Sequence, residues 1–229
     1  MTPTRSLPTS RRRRRQTVPS SGCLSGFLLP PFVALCFGVL LAFVTLGQGE
    51  QRVDVAAAPA TGSNGLLAPL FTPEVQFWAA QIVTWSAEQG LDPNLAATVM
   101  QIESCGHPGV RSSAGATGLF QVMPYHFQLF EDAYDPATNA RRGLDYLRRA
   151  LERANGDPRL ALAGYNGGLG VIGRAEARWP AETRRYVYWG SGIYADAQQN
   201  ASHSVRLNEW LDAGGASLCK KARQYLGLR

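Results

Sequence analysis

Histidine and cysteine are scarce in this chain of 229 residues, which has three of the former and four of the latter. The histidines His107, His126 and His203 and the cysteines lack the spacing of a zinc site. No glycine-rich phosphate loop follows a strand pattern, no repeat occurs, and no segment alternates apolar and polar residues for long enough to indicate a sheet. These absences argue against a metal centre, a nucleotide-binding α/β fold and a β architecture, and they predict an all-α protein.

Charged residues are also few, at 17% of the chain, and the basic ones are unevenly distributed. Residues 1–50 contain six of the 23 Lys and Arg, including the run Arg11–Arg15, but one of the 17 Asp and Glu. Residues 51–229 are therefore nearly neutral, and the net charge of +6 says little about the partner of the folded part. The arginine run alone would suit a nucleic-acid arm, but the segment that follows it favours a different role, and no nucleic-acid partner is expected.

Residues 26–47 contain no charged residue, and 22 apolar-rich residues are about the length needed to cross a bilayer. The five arginines before them predict that this end stays in the cytoplasm. We expect residues 1–25 to be a basic cytoplasmic tail, residues 26–47 to be a transmembrane anchor or a long cleaved signal segment, and residues 48–72 to be a flexible linker. Both alternatives place residues 51–229 outside the cytoplasmic membrane, either on a single-pass anchor or secreted.

One acidic residue ends an apolar helical pattern near the middle of the chain. Asp92 and Pro93 are typical of a helix start, and apolar residues recur at helical spacing through Ile102, so a helix is predicted over residues 93–104. Glu103 then lies in the last turn, where the negative end of the helix dipole should raise its pKa. A carboxylic acid that keeps its proton near neutral pH is what glycosidic bond cleavage needs as its acid.

Most glutamates near helix ends are solvated surface residues, and Glu103 alone would be read in that way. The loop after it contains Gly115 and Gly118, which allow close backbone approach to a ligand, and the short polar side chains Ser112 and Gln121. This composition is typical of a sugar-binding cleft. A short helix is predicted over residues 118–123.

Four segments, in this order, resemble the motifs of the soluble lytic transglycosylase family. They are Glu103-Ser104 with Gly115–Pro124, Asp135-Pro136 with Asn139 and Gly143–Leu147, Ala161–Gly168 with its Tyr-Asn-Gly, and Glu182–Val187 with its Glu-Thr-x-x-Tyr-Val. The resemblance covers roughly residues 75–197, with Cys105 and Phe120 as departures from the family pattern. It implies an all-α, lysozyme-like domain (goose-type lysozyme/SLT) over residues 73–199, and we expect residues 200–229 to be a helical extension packed on it.

The resemblance further implies an enzyme that cleaves the β-1,4 bond between N-acetylmuramic acid and N-acetylglucosamine and forms 1,6-anhydromuramic acid. Glu103 would be the catalytic acid and then the base, and no metal or cofactor would be needed. Substrate-binding and supporting roles fall to Ser112, Gln121, Tyr165 and Asn166, which would contact sugar or position the acid, and to Glu182 near the site. The expected partners are peptidoglycan glycan strands and, through the N-terminal segment, the cytoplasmic membrane; a monomer is expected.

Two alternatives stay open at this point. A hydrolytic lysozyme of the same fold would need a second acid, for which Glu131, Asp135 and Glu182 are the candidates. A non-catalytic, tethered peptidoglycan-binding module would not need Glu103.

Cys105 and Cys219 are the only cysteines in the predicted folded part. Outside the cytoplasm two such cysteines can pair, so we predict a disulfide that ties the C-terminal extension to the loop after Glu103. The alternative is a pair of buried free thiols.

Overall fold

The computed structural model describes residues 67–229. The predicted basic tail (1–25), membrane segment (26–47) and most of the predicted linker therefore lie outside the described residues. Between residues 67 and 229 no helix is both long enough and apolar enough to cross a bilayer.

Eight α-helices form most of the described part. They are α1 Pro73–Gln76, α2 Ala79–Glu88, α3 Pro93–Glu103, α4 Pro136–Arg153, α5 Pro158–Gly167, α6 Ala181–Gln198, α7 Val205–Trp210 and α8 Ala216–Leu226. Single 3-10 turns occur at Pro124–His126, Leu169–Val171 and Glu176–Arg178, and a π-type turn at Leu211–Gly215 joins α7 to α8. Extended pairing within residues 67–229 is limited to two isolated bridges, so the predicted all-α class is confirmed for this part.

Helix α3 runs through the centre of the core. Its N-cap Asp92 accepts hydrogen bonds from the backbone N–H groups of Asn94 (2.7 Å) and Leu95 (3.4 Å), as the Asp-Pro pair predicted. Every residue from Asn94 to Gln101 is buried, and the helix packs against α2 and α6. A helix that is buried all round is held rigidly by its neighbours, and Glu103 is its last residue.

The folded part begins earlier than the sequence suggested. The predicted linker extended to residue 72, but Leu67, Leu70 and Phe71 are buried in the core. Two polar side chains of α3 hold this segment: Asn94 accepts a hydrogen bond from Ala68 N (2.9 Å), and Gln101 accepts one from Thr72 N (3.1 Å). Asn94 lies 26 residues after Ala68, and Gln101 lies 29 residues after Thr72, so no local sequence pattern indicates these two hydrogen bonds.

The C-terminal helices pack on the same core, α7 against α6 and α8 against α1. The predicted disulfide between Cys105 and Cys219 is present, with Cα atoms 5.0 Å apart. Beside it the buried Glu74 carboxylate accepts a hydrogen bond from Arg223 Nε at 2.6 Å, which also joins α1 to α8. Glu74 and the two sulfurs lie close enough together to hold a metal ion, but sulfurs bonded to each other offer no thiolate.

Candidate active site

The chain reverses direction directly after Glu103. Cys105 (φ 51°) and Gly106 (φ 78°) both adopt the left-handed conformation, and a Cβ on Gly106 would lie 2.6 Å from a backbone oxygen of α1. Buried Ser104 donates a hydrogen bond to the Leu119 carbonyl (2.6 Å) and accepts one from Gly106 N (3.1 Å). The end of α3 is therefore tied to the loop that follows it, and the position of the Glu103 carboxyl is set by backbone that has little freedom.

The pKa of Glu103 is raised from 4.5 to about 8, chiefly because burial penalises the charged carboxylate. The Tyr186 hydroxyl partly opposes this rise, while the negative charge of Glu182 adds to it. The sequence predicted a raised pKa from the helix dipole, but burial is the principal cause in the structure. The carboxyl keeps its proton at neutral pH.

Glu103 lines a cavity of about 580 Å³ that we call the acid cavity. Its lining comes from the ends of α3 and α5, from one face of α6, and from the turn between α7 and α8: Ile102, Glu103, Asn166, Glu182, Arg185, Tyr186, Trp189 and Ala213. Of the four residues from α6, Arg185 and Tyr186 lie three and four positions after Glu182 and four and three positions before Trp189, which places them on one side of that helix. The cavity is therefore built where four separate segments of the chain meet.

A second cavity, here called the aromatic cavity, shares Asn166 with the first and measures about 130 Å³. It is lined by Gln121, Val122, Met123, Tyr125, His126, Gly143, Tyr146, Tyr165, Asn166 and Gly168. The His126 ring lies 4.5 Å from the Tyr125 ring and 4.9 Å from the Tyr146 ring, measured between centroids. Flat aromatic faces beside amide groups suit a sugar, which has apolar ring faces and polar edges.

Several predicted substrate-binding residues converge on the two cavities. The Tyr165 hydroxyl donates a hydrogen bond to the Phe120 carbonyl (2.7 Å). The Asn166 amide oxygen accepts one from the Thr183 hydroxyl (2.8 Å), which orients its NH₂ group. The structure thus places Tyr165 beside the aromatic cavity, and Asn166 where the two cavities meet.

Of the other predicted residues, Gln121 and Glu182 each line one of the two cavities and Ser112 lines neither. Gln121 lines the aromatic cavity and donates its side-chain N–H to the Gly118 carbonyl (3.0 Å), and the exposed Glu182 lines the acid cavity. Ser112 lines neither cavity; its hydroxyl accepts a hydrogen bond from Ala116 N (3.0 Å) within an exposed turn.

The predicted helix over residues 118–123 is wrong, and Asn139 explains the structure found there. Gly118 and Gln121 have φ values of 78° and 46°, which a right-handed helix does not allow. Asn139, buried in the first turns of α4, accepts from Phe120 N (2.9 Å) and donates to the Thr117 carbonyl (2.8 Å). A Cβ on Gly118 would lie 2.4 Å from the Asn139 amide nitrogen. The side chain of Asn139 therefore replaces helical hydrogen bonds with its own.

Helix α4 begins at Pro136, because Asp135 caps it by accepting a hydrogen bond from Thr138 N (2.8 Å).

Tyr186 is a site residue to which the sequence analysis assigned no role. It is 5% exposed, and its hydroxyl acts on the Glu103 carboxyl but makes no hydrogen bond of ordinary geometry to any residue between 67 and 229. Burial and the nearby Glu103 raise its own pKa well above 10. The available signal was its position four residues after Glu182, one helical turn along the same face.

Comparison with known proteins gives one family match. Residues 81–187 match the family described as the transglycosylase SLT domain. A protein of Enterobacteria phage PRD1 named "Transglycosylase" is 40% identical over 111 residues, which are 48% of this chain and 40% of the phage protein. The lytic transglycosylase Slt of Pseudomonas aeruginosa, solved as an inactive glutamate-to-glutamine mutant, is 26% identical, with 53% of this chain and 24% of that chain covered and a TM-score of 0.44.

This chain thus spans less than half the length of either relative. Glu103, Asn166 and Tyr186 lie inside the family match, whereas two residues of the acid cavity, Trp189 and Ala213, lie beyond it.

Proposed function

We propose that this chain, whose residues 81–187 match the transglycosylase SLT domain, is a lytic transglycosylase with a lysozyme-like fold. It cleaves the β-1,4 bond between N-acetylmuramic acid and N-acetylglucosamine in peptidoglycan and leaves a 1,6-anhydromuramoyl end. The observation that carries the proposal is the Glu103 carboxyl, which lines the acid cavity with a pKa raised to about 8 by burial.

In the first step Glu103 gives its proton to the bridging oxygen as the bond from that oxygen to C1 of the muramoyl residue breaks. The proton is available because the acid is still protonated at neutral pH. The oxygen of the muramoyl N-acetyl group bonds to C1 and takes up the positive charge that develops there. The released glycan keeps the bridging oxygen as a hydroxyl.

In the second step the Glu103 carboxylate takes the proton from the muramoyl C6 hydroxyl, and O6 bonds to C1 as the N-acetyl oxygen leaves. The burial that favours the protonated acid also makes its carboxylate a strong base, so one side chain serves both steps. Because the attacking hydroxyl belongs to the substrate, it is already positioned and needs no second acid to activate water.

Two of the three acids that could serve as the second acid of a hydrolytic lysozyme, Glu131 and Asp135, make other contacts in the structure. The Glu131 carboxylate accepts hydrogen bonds from Arg142 Nε (2.8 Å) and from Arg141 (2.8 Å), and these contacts lower its pKa to about 2. Asp135 caps α4. Glu182 is the remaining candidate, and its charge raises the pKa of Glu103 from the same cavity, which is a supporting role.

Mass spectrometry of muropeptides released from purified peptidoglycan by the full chain tests the proposal. Products with a 1,6-anhydromuramoyl end, lighter by one water than hydrolysis products and absent with Glu103→Gln, are expected. Reducing muramoyl ends that disappear with Glu182→Gln would instead mean a lysozyme. Release that is unchanged by Glu103→Gln would contradict the site assignment, and binding to the polymer without any release would mean a non-catalytic module.

We also propose that residues 26–47 place the folded part outside the cytoplasmic membrane, as an anchor or a cleaved signal segment. The disulfide supports this location, because such bonds persist in oxidising compartments. N-terminal sequencing of the protein from membrane and secreted fractions would distinguish an anchor from a cleaved signal, and a protein found with its N-terminus intact in the cytosolic fraction would contradict both.

A further inference from the structure

The acid cavity contains a guanidinium group that the proposed chemistry does not use. Arg185 lies on α6 between Glu182 and Trp189 and lines the cavity together with them. It is exposed, and no carboxylate among residues 67–229 lies within ion-pair distance of it, although Glu182 is one helical turn away. Each of the other arginines of α4 and α6 is bonded to a protein group, as Arg184 is to the Trp179 carbonyl (2.6 Å).

Arg185 lines the acid cavity from α6, whereas Glu103 lines it from the end of α3. The side chains that act on the pKa of Glu103 are Tyr186, which lowers it, and Glu182, which raises it. A cation close to Glu103 would favour the carboxylate and undo the protonation that the first step needs. The position of Arg185 therefore suits a group of the substrate that lies away from the scissile bond.

In a strand with intact stem peptides the lactyl carboxyl of each muramoyl residue is bound in an amide, so the free carboxylates of such a strand are those of the stem peptides. A guanidinium binds a carboxylate through two parallel N–H···O hydrogen bonds, a geometry that a neutral sugar hydroxyl cannot match. Trp189, one turn further along α6, offers apolar surface for the aliphatic part of such a peptide, and Ala213 also lines the cavity.

We propose that Arg185 and Trp189 form a subsite for a carboxylate-bearing stem peptide, so that this chain prefers glycan strands whose peptides are present and ionised. The proposal rests on the proposed function, because it takes peptidoglycan as the polymer in the acid cavity. Trp189 and Ala213 lie outside the residues that match the family, whereas Arg185 lies inside them.

Binding is measured with the full chain carrying Glu103→Gln, so that strands are not cleaved during titration calorimetry. The probes are soluble glycan strands with intact stem peptides, and the same strands after their carboxylates have been converted to amides. Tighter binding to the ionised strands by roughly threefold to tenfold is expected, the size of a partly exposed charge-assisted contact, and it should shrink as salt is added. Adding Arg185→Gln should abolish the preference, and adding Arg185→Lys should retain part of it.

Arg178→Gln is the matched control, because Arg178 is an exposed arginine that lines neither cavity. It removes the same charge and should leave the preference unchanged. A preference that survives Arg185→Gln, or equal binding of both kinds of strand by the Glu103→Gln protein, would overturn the proposal. If the wild-type chain makes no anhydromuramoyl product while the Arg185-dependent preference remains, the proposed function fails and the subsite stands.

Discussion

Replacing Glu103 by glutamine should remove the proposed activity and also make the folded protein more stable in alkaline solution. The reason is that the folded state holds the Glu103 carboxyl in surroundings that penalise its charge, whereas the unfolded chain does not. In the unfolded chain this group has its ordinary pKa of 4.5, and in the folded protein its pKa is about 8. Glutamine has nearly the same shape and carries no charge at any pH.

The sign and size of the effect follow from these two pKa values. Between pH 4.5 and pH 8 the unfolded state has released the proton and the folded state has kept it, so the unfolded state binds fewer protons. The free energy of unfolding of the wild-type protein therefore falls as pH rises, by about 1.4 kcal/mol per pH unit in that window. The penalty is nearly absent below pH 4.5, grows by about 4 kcal/mol between pH 5 and pH 9, and is constant well above pH 8.

Urea unfolding of the wild-type and Glu103→Gln proteins at pH 5, pH 7 and pH 9 measures this penalty. The other titrating groups are present in both proteins, so the effects of those that do not interact with Glu103 cancel in the difference between the two free energies of unfolding. The variant should gain about 4 kcal/mol over the wild type between the lowest and the highest pH. A difference that stays constant over this range would mean that Glu103 titrates as an ordinary surface acid, and the argument for it as a proton donor at neutral pH would fail.

Four further changes test other parts of the structure. Tyr186→Phe removes a hydroxyl that lowers the pKa of Glu103, so the alkaline limb of the pH profile of kcat/KM should move to higher pH; an unmoved limb would contradict this contact. Asn139→Ala leaves buried backbone groups of the neighbouring loop unpaired and should lower the free energy of unfolding by about 2–4 kcal/mol, measured in urea. A loss below about 0.5 kcal/mol would show that water or the loop replaces the hydrogen bonds of the Asn139 amide. Cys219→Ser opens a disulfide between residues 114 positions apart and should cost about 2–5 kcal/mol, and a reductant should lower the stability of the wild type but not of the variant. The pKa of Glu131 is lowered to about 2, chiefly by its hydrogen bond with Arg142, so the stability that the Glu131 carboxylate contributes is present above pH 4.5 and is lost as pH falls toward 2. The difference in Tm between the wild type and Glu131→Gln should shrink over that range. A difference that stays constant would refute the pairing of Glu131 with Arg142.

Features that depend on residues close in sequence were predicted well. Asp92 caps α3 through backbone N–H groups two and three residues away, so the start of this helix was predicted from the Asp-Pro pair. The end of α3 was predicted to within one residue for the same reason. Because Glu103 is placed by this helix, its position in the fold could be inferred from local signals.

Features that depend on distant partners could not be predicted. The loop after Gly118 looked helical because its apolar residues suit a helix, but the amide of Asn139 holds it in left-handed turns from 21 residues away along the chain. The cause of the raised pKa of Glu103 was misjudged in the same way, since burial by α5 and α6 is a tertiary effect and the helix dipole is a local one. The resemblance to a family located the polar residues of the cleft, but it placed Ser112 among them although Ser112 faces an exposed turn.

The part of the site that neither local pattern nor family resemblance indicated is the wall contributed by the C-terminal helices. Ala213 reaches the acid cavity because the chain between α7 and α8 forms a wide turn. In this turn Gly214 has a φ of 126°, a backbone conformation that glycine adopts readily and other residues rarely adopt. Cys219, six residues later, is bonded to Cys105, which is two residues from Glu103. Ala213 and Glu103 are therefore joined by a short covalent path through this disulfide, so their separation does not depend on helix packing alone. We expect this tether to hold Ala213 near the acid, in the cavity where we propose that Arg185 and Trp189 select among strands.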